Sequence, residues 1–229
     1  MRSATRKISA AGGGFTLVEL LVVIAVIAIL VAVTLPSMSE LFRTGSDSQA
    51  HNLIAAQLAA ARALAIQEHT TAGVHVQLAD GANVKAAQAD ACYAAVVKEI
   101  STDRFGLADG YAPQRMPGMM SFLELPAPNV NYTTTELADG QYMTFSIVFN
   151  SSGGLKGGNN IYFDDPNFAS GMLWTNTNSS NAEPPAKGML MIDMEKLRKA
   201  TDRAAYVASY GEVLPINHYT GALMGRERK

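Results

Sequence analysis

From Phe15 to Leu35 the chain carries an almost unbroken apolar run, FTLVELLVVIAVIAILVAVTL, in which a single acid, Glu19, stands near the start. No other feature limits the fold so strongly. About 21 residues at roughly 1.5 Å each match the ~30 Å hydrocarbon core of a bilayer, and Leu20 to Val33 is apolar without a break. A cleavable secretory signal would have a shorter apolar region and a small-x-small cleavage site, which Pro36-Ser37-Met38-Ser39 does not supply. A buried core helix would be shorter and less uniformly apolar. Arg2, Arg6 and Lys7 precede the run with no acid among them. This asymmetry predicts a single-pass membrane span with a cytoplasmic N-terminus and an exported C-terminal body. Without residues 1–14 the formal charge falls from -2 to -5, since three cations and no acid are lost.

Glu19 is costly in that setting. An unpaired carboxylate near a bilayer core costs about 2–3 kcal/mol on insertion scales, and less toward the interface. A place in the first helical turn returns only about 0.3–1 kcal/mol through the helix dipole. The bland alternative is an interfacial acid that reaches up to water. The physical expectation is a specific partner, a cation supplied in an assembled state.

GFTLVELLVVIAVIAILVAVTLP, behind a short basic leader, resembles the N-terminal segment of type IV pilins and type II secretion pseudopilins. The resemblance implies cleavage by a prepilin peptidase after Gly14 and methylation of the new N-terminal residue, Phe15. It places the family's acid on Glu19 and its helix proline on Pro36. The chemistry fits: cleavage frees an α-amine on Phe15, and methylation preserves its charge. That amine can neutralise Glu19 of a neighbouring subunit, so that the acid selects correct packing and register. Gly14 has no side chain to obstruct the peptidase.

The implied architecture is α+β: a long N-terminal helix, transmembrane and then amphipathic, packed on an antiparallel β-rich head. The expected divisions are a leader (1–14), a transmembrane and assembly helix (15–35), an amphipathic helix (36–70) and a head (71–229). Pro36 removes a backbone donor and should kink the helix. Beyond it, Leu53, Ala56, Ala60 and Leu64 form one apolar stripe, with Ile54, Leu58, Ala61 and Ala65 beside it. Ser46 with Gln49 reads as a capping box, leaving open one helix from about 15 to 68 or two meeting near Gly45.

Strands are expected at 74–78, within 93–100, and at 142–149 with 160–163 as its returning partner. Closing strands are expected at 189–193 and 205–209, with a short helix over 194–202 between them. The proline-bearing stretches 103–131 and 175–188 read as loops. Ala61-Arg62-Ala63-Leu64-Ala65-Ile66, Ile147 to Gly153 and Ser209 to Val213 are similar to segments of the GspH/FimT-like branch of pseudopilins and minor pilins. Classical type IVa pilins close a C-terminal loop with a disulfide. Cys92 is the only cysteine here, so no intramolecular disulfide can form.

Catalytic and metal chemistry find little support. The 48% hydrophobic and 17% charged composition belongs to a folded chain, and a net charge of -2 exerts no general pull on nucleic acid. His51, His69, His75 and His218 lack metal-ligand spacing and read as solvated or capping side chains. Cys92 has no catalytic signature. Gly153 to Gly158 lacks the ending of a phosphate loop and reads as a hairpin turn. Asp164-Asp165-Pro166-Asn167 is ordinary turn chemistry, although its oxygens could serve calcium. Met116, Met119 and Met120 read as gap fillers. No enzyme activity, cofactor or metal is expected.

The expected partners are other pilin or pseudopilin subunits, the prepilin peptidase, the inner-membrane assembly platform, and membrane lipid before assembly. One alternative is DNA. The C-terminal Gly225-Arg226-Glu227-Arg228-Lys229 resembles the basic tail with which FimT-type minor pilins bind DNA, so Arg226, Arg228 and Lys229 are candidate phosphate contacts. Glu227 and the acidic remainder weigh against it. Another alternative is a membrane-anchored binding domain that merely carries a prepilin leader.

Overall fold

The structure, a computed structural model, describes residues 16–78, 91–125, 144–156, 162–163, 188–217 and 219–224, with backbone alone for 33–44. The architecture is α+β, with helix packed on an antiparallel-rich β head as in the pilin fold. The chain divides into two compact units, Met1–Thr44 and Gly45–Lys229.

Helix α1 runs from Leu17 to Gln67, through Pro36 and Gly45. Of the two arrangements left open by the sequence, the single helix is the one that forms. It ends where His69 adopts a left-handed conformation, φ 50°, and Thr70 N–H donates back to the Ala65 carbonyl at 3.2 Å.

In the second unit α1 buries Ala50, Ile54, Gln57, Leu58, Ala61, Leu64 and Ala65, the three-and-four spacing of one helix face. The expected Ile54 stripe is therefore fully covered. Its neighbour is not: Leu53 and Ala60 are half-buried and Ala56 is exposed, while Gln57 takes the inward position. The buried face is centred one residue further round than the alanine-rich pattern suggested.

Two sheets meet this helix. The first has strand order β6-β1-β2-β3-β7, with β4 also on β2. Its members are β1 (Ala72–Leu78), β2 (Cys92–Ser101), β3 (Arg104–Leu107), β4 (Gln114–Arg115), β6 (Phe145–Phe149) and β7 (Tyr162–Phe163). β1 is central, pairing antiparallel with β2 (Val74 opposite Val96) and with β6 (Val74 opposite Ile147). The second sheet runs β5-β8-β9, from Met120–Glu124, Gly188–Asp193 and Glu212–Pro215. Alternate side chains of both sheets, among them Val74, Val76, Val96, Phe122, Ile147, Phe149, Met189, Met191 and Leu214, share one core with the helix. The outer face of the second sheet carries two short helices, α2 (Met194–Lys199) and α3 (Arg203–Tyr210), through Leu197 and Val207.

Three expectations are corrected. Residues 205–209 form helix, not strand. The Asp202 carboxylate caps the start by accepting from Ala205 N–H at 2.9 Å, and Tyr206 stacks on Tyr210 one turn later at 5.0 Å. The closing strand comes after Gly211, as β9.

The stretch 103–131, expected to be loop, holds β3, β4 and β5 in its described part. Pro113 and Pro117 fall just outside β4 rather than within it, which is where prolines leave a ladder intact. Finally, β7 pairs parallel with β3, Arg104 opposite Tyr162, and does not return alongside β6. The Gly153 turn does close on β6, through the Phe149–Leu155 bridge. The expected short helix at 194–202 is present as α2, and residues 126–131 and 175–187 lie outside the described residues.

Candidate functional site

The described part of the N-terminal segment starts at Thr16 and shows why its helix begins there. Thr16 N–H and Thr16 Oγ1–H both donate to Glu19 Oε2 at 2.9 Å, and Glu19 N–H donates to Thr16 Oγ1 at 3.2 Å. This reciprocal arrangement is a capping box: the threonine satisfies a backbone donor of the first turn, and the acid satisfies the donor of the cap residue. The Thr16-x-x-Glu19 spacing is visible in the sequence, and the same acid that is costly in an apolar run has a local use as the cap's partner. Glu19 is thus both a helix-start residue and the only charged group between Thr16 and Ala32.

Every side chain from Thr16 to Ala32 is exposed, with large apolar groups ranging from 46% exposure at Val31 to 79% at Leu17. An apolar stripe on one face would mark a helix lying on a core. Apolar side chains all round mark one built for lipid or for several neighbouring helices. From Leu17 to Ala32 the helix is about 24 Å long. Among the described residues no helix is long and apolar enough to cross a membrane.

Residues 12–35 match the prokaryotic N-terminal methylation motif. The motif identifies a type IV pilin-like prepilin segment, which implies processing by a prepilin peptidase and assembly with other pilin subunits. It points to a structural subunit rather than to an enzyme family. No curated protein and no solved structure matches the chain.

Within the motif, Gly14 and Phe15 lie outside the described residues; Pro36, one residue beyond the motif, is described only as backbone inside α1. The tail residues Arg226, Arg228 and Lys229, the acids Asp164 and Asp165, and His218 also lie outside. Among the described residues no three His, Cys, Asp or Glu side chains converge on a common point.

The head brings together two stretches that stood far apart in the sequence. Arg62 Nε–H donates to the Gly153 carbonyl at 2.9 Å, tying the helix to the turn that follows β6. Asn150 Oδ1 organises that turn by accepting from Ser152 N–H, Ser152 Oγ–H and Gly154 N–H at 3.0, 2.6 and 3.0 Å. Gly153 has φ +80°, and a Cβ there would stand 2.7 Å from Ile66 Cδ1, so only glycine lets the turn lie against the helix.

His75 departs from its expected solvated role. It is fully buried on the face of the first sheet turned away from α1, beside Phe163 at 4.9 Å. Nδ1 lies 2.8 Å from Ser146 Oγ and Nε2 lies 3.2 Å from Gln77 Oε1. With Gln77 Oε1 as acceptor, Nε2 carries the proton and Nδ1 accepts from the serine hydroxyl. Burial holds the imidazole pKa down to about 4, only partly opposed by the Gln77 contact, so the ring is neutral at neutral pH. Nothing local in Val74-His75-Val76 announces this, because the cover comes from distant chain. Cys92 is buried too, and burial pushes its thiol up to about 11, far from a nucleophile's range. Met116 and Met120 are buried in the core beside it, as gap-filling side chains would be.

Proposed function

We propose that this protein is a pseudopilin or minor pilin of the GspH/FimT-like branch, a structural subunit of a type II secretion or type IV pilus-like filament. In this reading the precursor is held in the inner membrane by residues 15–35, with its N-terminus cytoplasmic. It is cleaved after Gly14, methylated on Phe15, and drawn from lipid into the filament by the assembly platform. The methylation motif over residues 12–35 carries the proposal. The exposed apolar half of α1 supports it, because such a surface requires either lipid or neighbouring helices. Glu19 is proposed to accept the Phe15 amine of an adjacent subunit.

The test is co-expression with a prepilin peptidase, read by intact mass and N-terminal sequencing. The wild type should begin at methylated Phe15, whereas Gly14→Val should retain the leader. Glu19→Ala should be processed normally and yet fail to enter the sheared filament fraction or crosslink to neighbouring subunits. Normal incorporation of that variant would sink the proposed pairing. An uncleaved wild type would sink the whole reading.

A further inference from the structure

The two sheets of the head are joined at two seams of different kinds. At the first, Cys92 at the start of β2 lies against Ser121 and Phe122 of β5. The chain supports this seam directly, since only Met116–Met119 separates β4, which pairs with β2, from β5.

The second seam lies where β6, an edge strand of the first sheet, meets the chain just after β9, an edge strand of the second, through Phe149 and Gly221. No short connection spans it, because β6 ends at Phe149 and β9 begins at Glu212. With Cys92 as the sole cysteine, no disulfide can span it either.

What crosses this seam is the turn after β9. Ile216 bridges to Leu223, Asn217 N–H donates to the Ala222 carbonyl at 2.9 Å, and Met224 N–H donates to the Pro215 carbonyl at 2.7 Å. The tip is fixed from within, as Asn217 Oδ1 accepts from Tyr219 and Thr220 N–H at 2.9 and 3.0 Å. Gly221 N–H donates to the Asn217 carbonyl at 2.7 Å, and Gly221 takes φ +63°. This sets the Gly221 backbone against the Phe149 ring, so closely that a Cβ would fall 2.1 Å from Cε1. Phe149 is fully buried, and Leu214, Ile216 and Leu223 belong to the same core.

We propose that the described residues 216–217 and 219–224 form a strap that closes the second sheet onto edge strand β6, with the Gly221–Phe149 contact as its fastening point. Loosening the strap opens the head along this seam while the β1–β2–β3 pairings persist. The consequence is local: β6 and β9, which share no hydrogen bond, gain and lose protection together.

The experiment is amide hydrogen exchange read by mass spectrometry on the full chain in detergent micelles. Chains ending at Ile216, and Gly221→Ala chains, should exchange about tenfold faster in peptides covering β6 and β9, with β2–β3 peptides unchanged. Phe149→Leu makes room at the ring. Combined with Gly221→Ala, it should raise exchange in β6 by less than the sum of the two single effects, the left-handed φ at position 221 retaining part of the cost. Faster exchange in β9 with β6 unaffected would overturn the strap, and so would strictly additive effects of the two substitutions. An even rise across both sheets would overturn it as well.

Discussion

The two ends of helix α1 are both rich in apolar residues, yet they meet opposite environments. From Leu17 to Val31 the side chains are apolar on all sides and exposed, with one acid folded back on the helix start. From Ala50 to Ala65 apolar residues recur on one face and vanish into the core, while Asn52, Ala59 and Ala63 face out. Composition barely separates these halves; periodicity does. A one-sided pattern is completed inside the chain. An all-round pattern calls for something outside the chain, which is why the proposed processing and assembly are assigned to the first half and stability to the second.

The contrast can be broken most directly with matched truncations. Leu58→Ala should lower unfolding stability by about 3 kcal/mol, as cavity-forming changes in a packed core do. Leu21→Ala should leave the same denaturant transition, followed by circular dichroism of the full chain in micelles, within about 0.5 kcal/mol. Equal effects at the two sites would erase the distinction.

A second probe sharpens it by isolating the head. The folded pKa of His75 is about 4, below its unfolded value near 6.5, so between these values the unfolded chain binds more protons. Stability is then fully present above about pH 7 and declines as pH falls through 6.5 toward 4, by something like 3 kcal/mol over the whole window. Urea midpoints at pH 7.5, 6 and 5 should show this slope, and His75→Gln should flatten it. A slope that survives that substitution belongs to other groups.

Smaller effects follow at one turn that meets α1 and at the cap of its first turn. Gly153→Ala forces a side chain into a left-handed position against Ile66, and should cost about 1–2 kcal/mol in the same transition. At the other end, Thr16→Ala removes the capping hydroxyl and should cost about 1 kcal/mol. That loss should be visible only as faster amide exchange over Leu17–Leu20, with the head unaffected.

How legible each part was depends on how local its cause is. The processing segment could be read because its chemistry is written in consecutive residues, and the buried face of α1 because Ile54, Leu58, Ala61 and Ala65 repeat with the helix. Residues 205–209 misled because alanine, tyrosine and valine alternate convincingly, while the deciding group, Asp202, lies upstream as a cap. β3 to β5 were hidden by prolines that bound short strands. The partner of β7 and the burial of His75 are set by which distant strand comes to lie alongside, and no short window contains that information.

The capping box at the start of α1 has a consequence for timing. Among the described residues only Oε2 of Glu19 is engaged, by Thr16 of its own chain. If the proposed pairing holds, Oε1 can receive the incoming amine while Oε2 keeps its grip on Thr16. A subunit would then join without unwinding its first turn. The acid would be quiescent in the stored precursor and ready the moment a neighbour arrives.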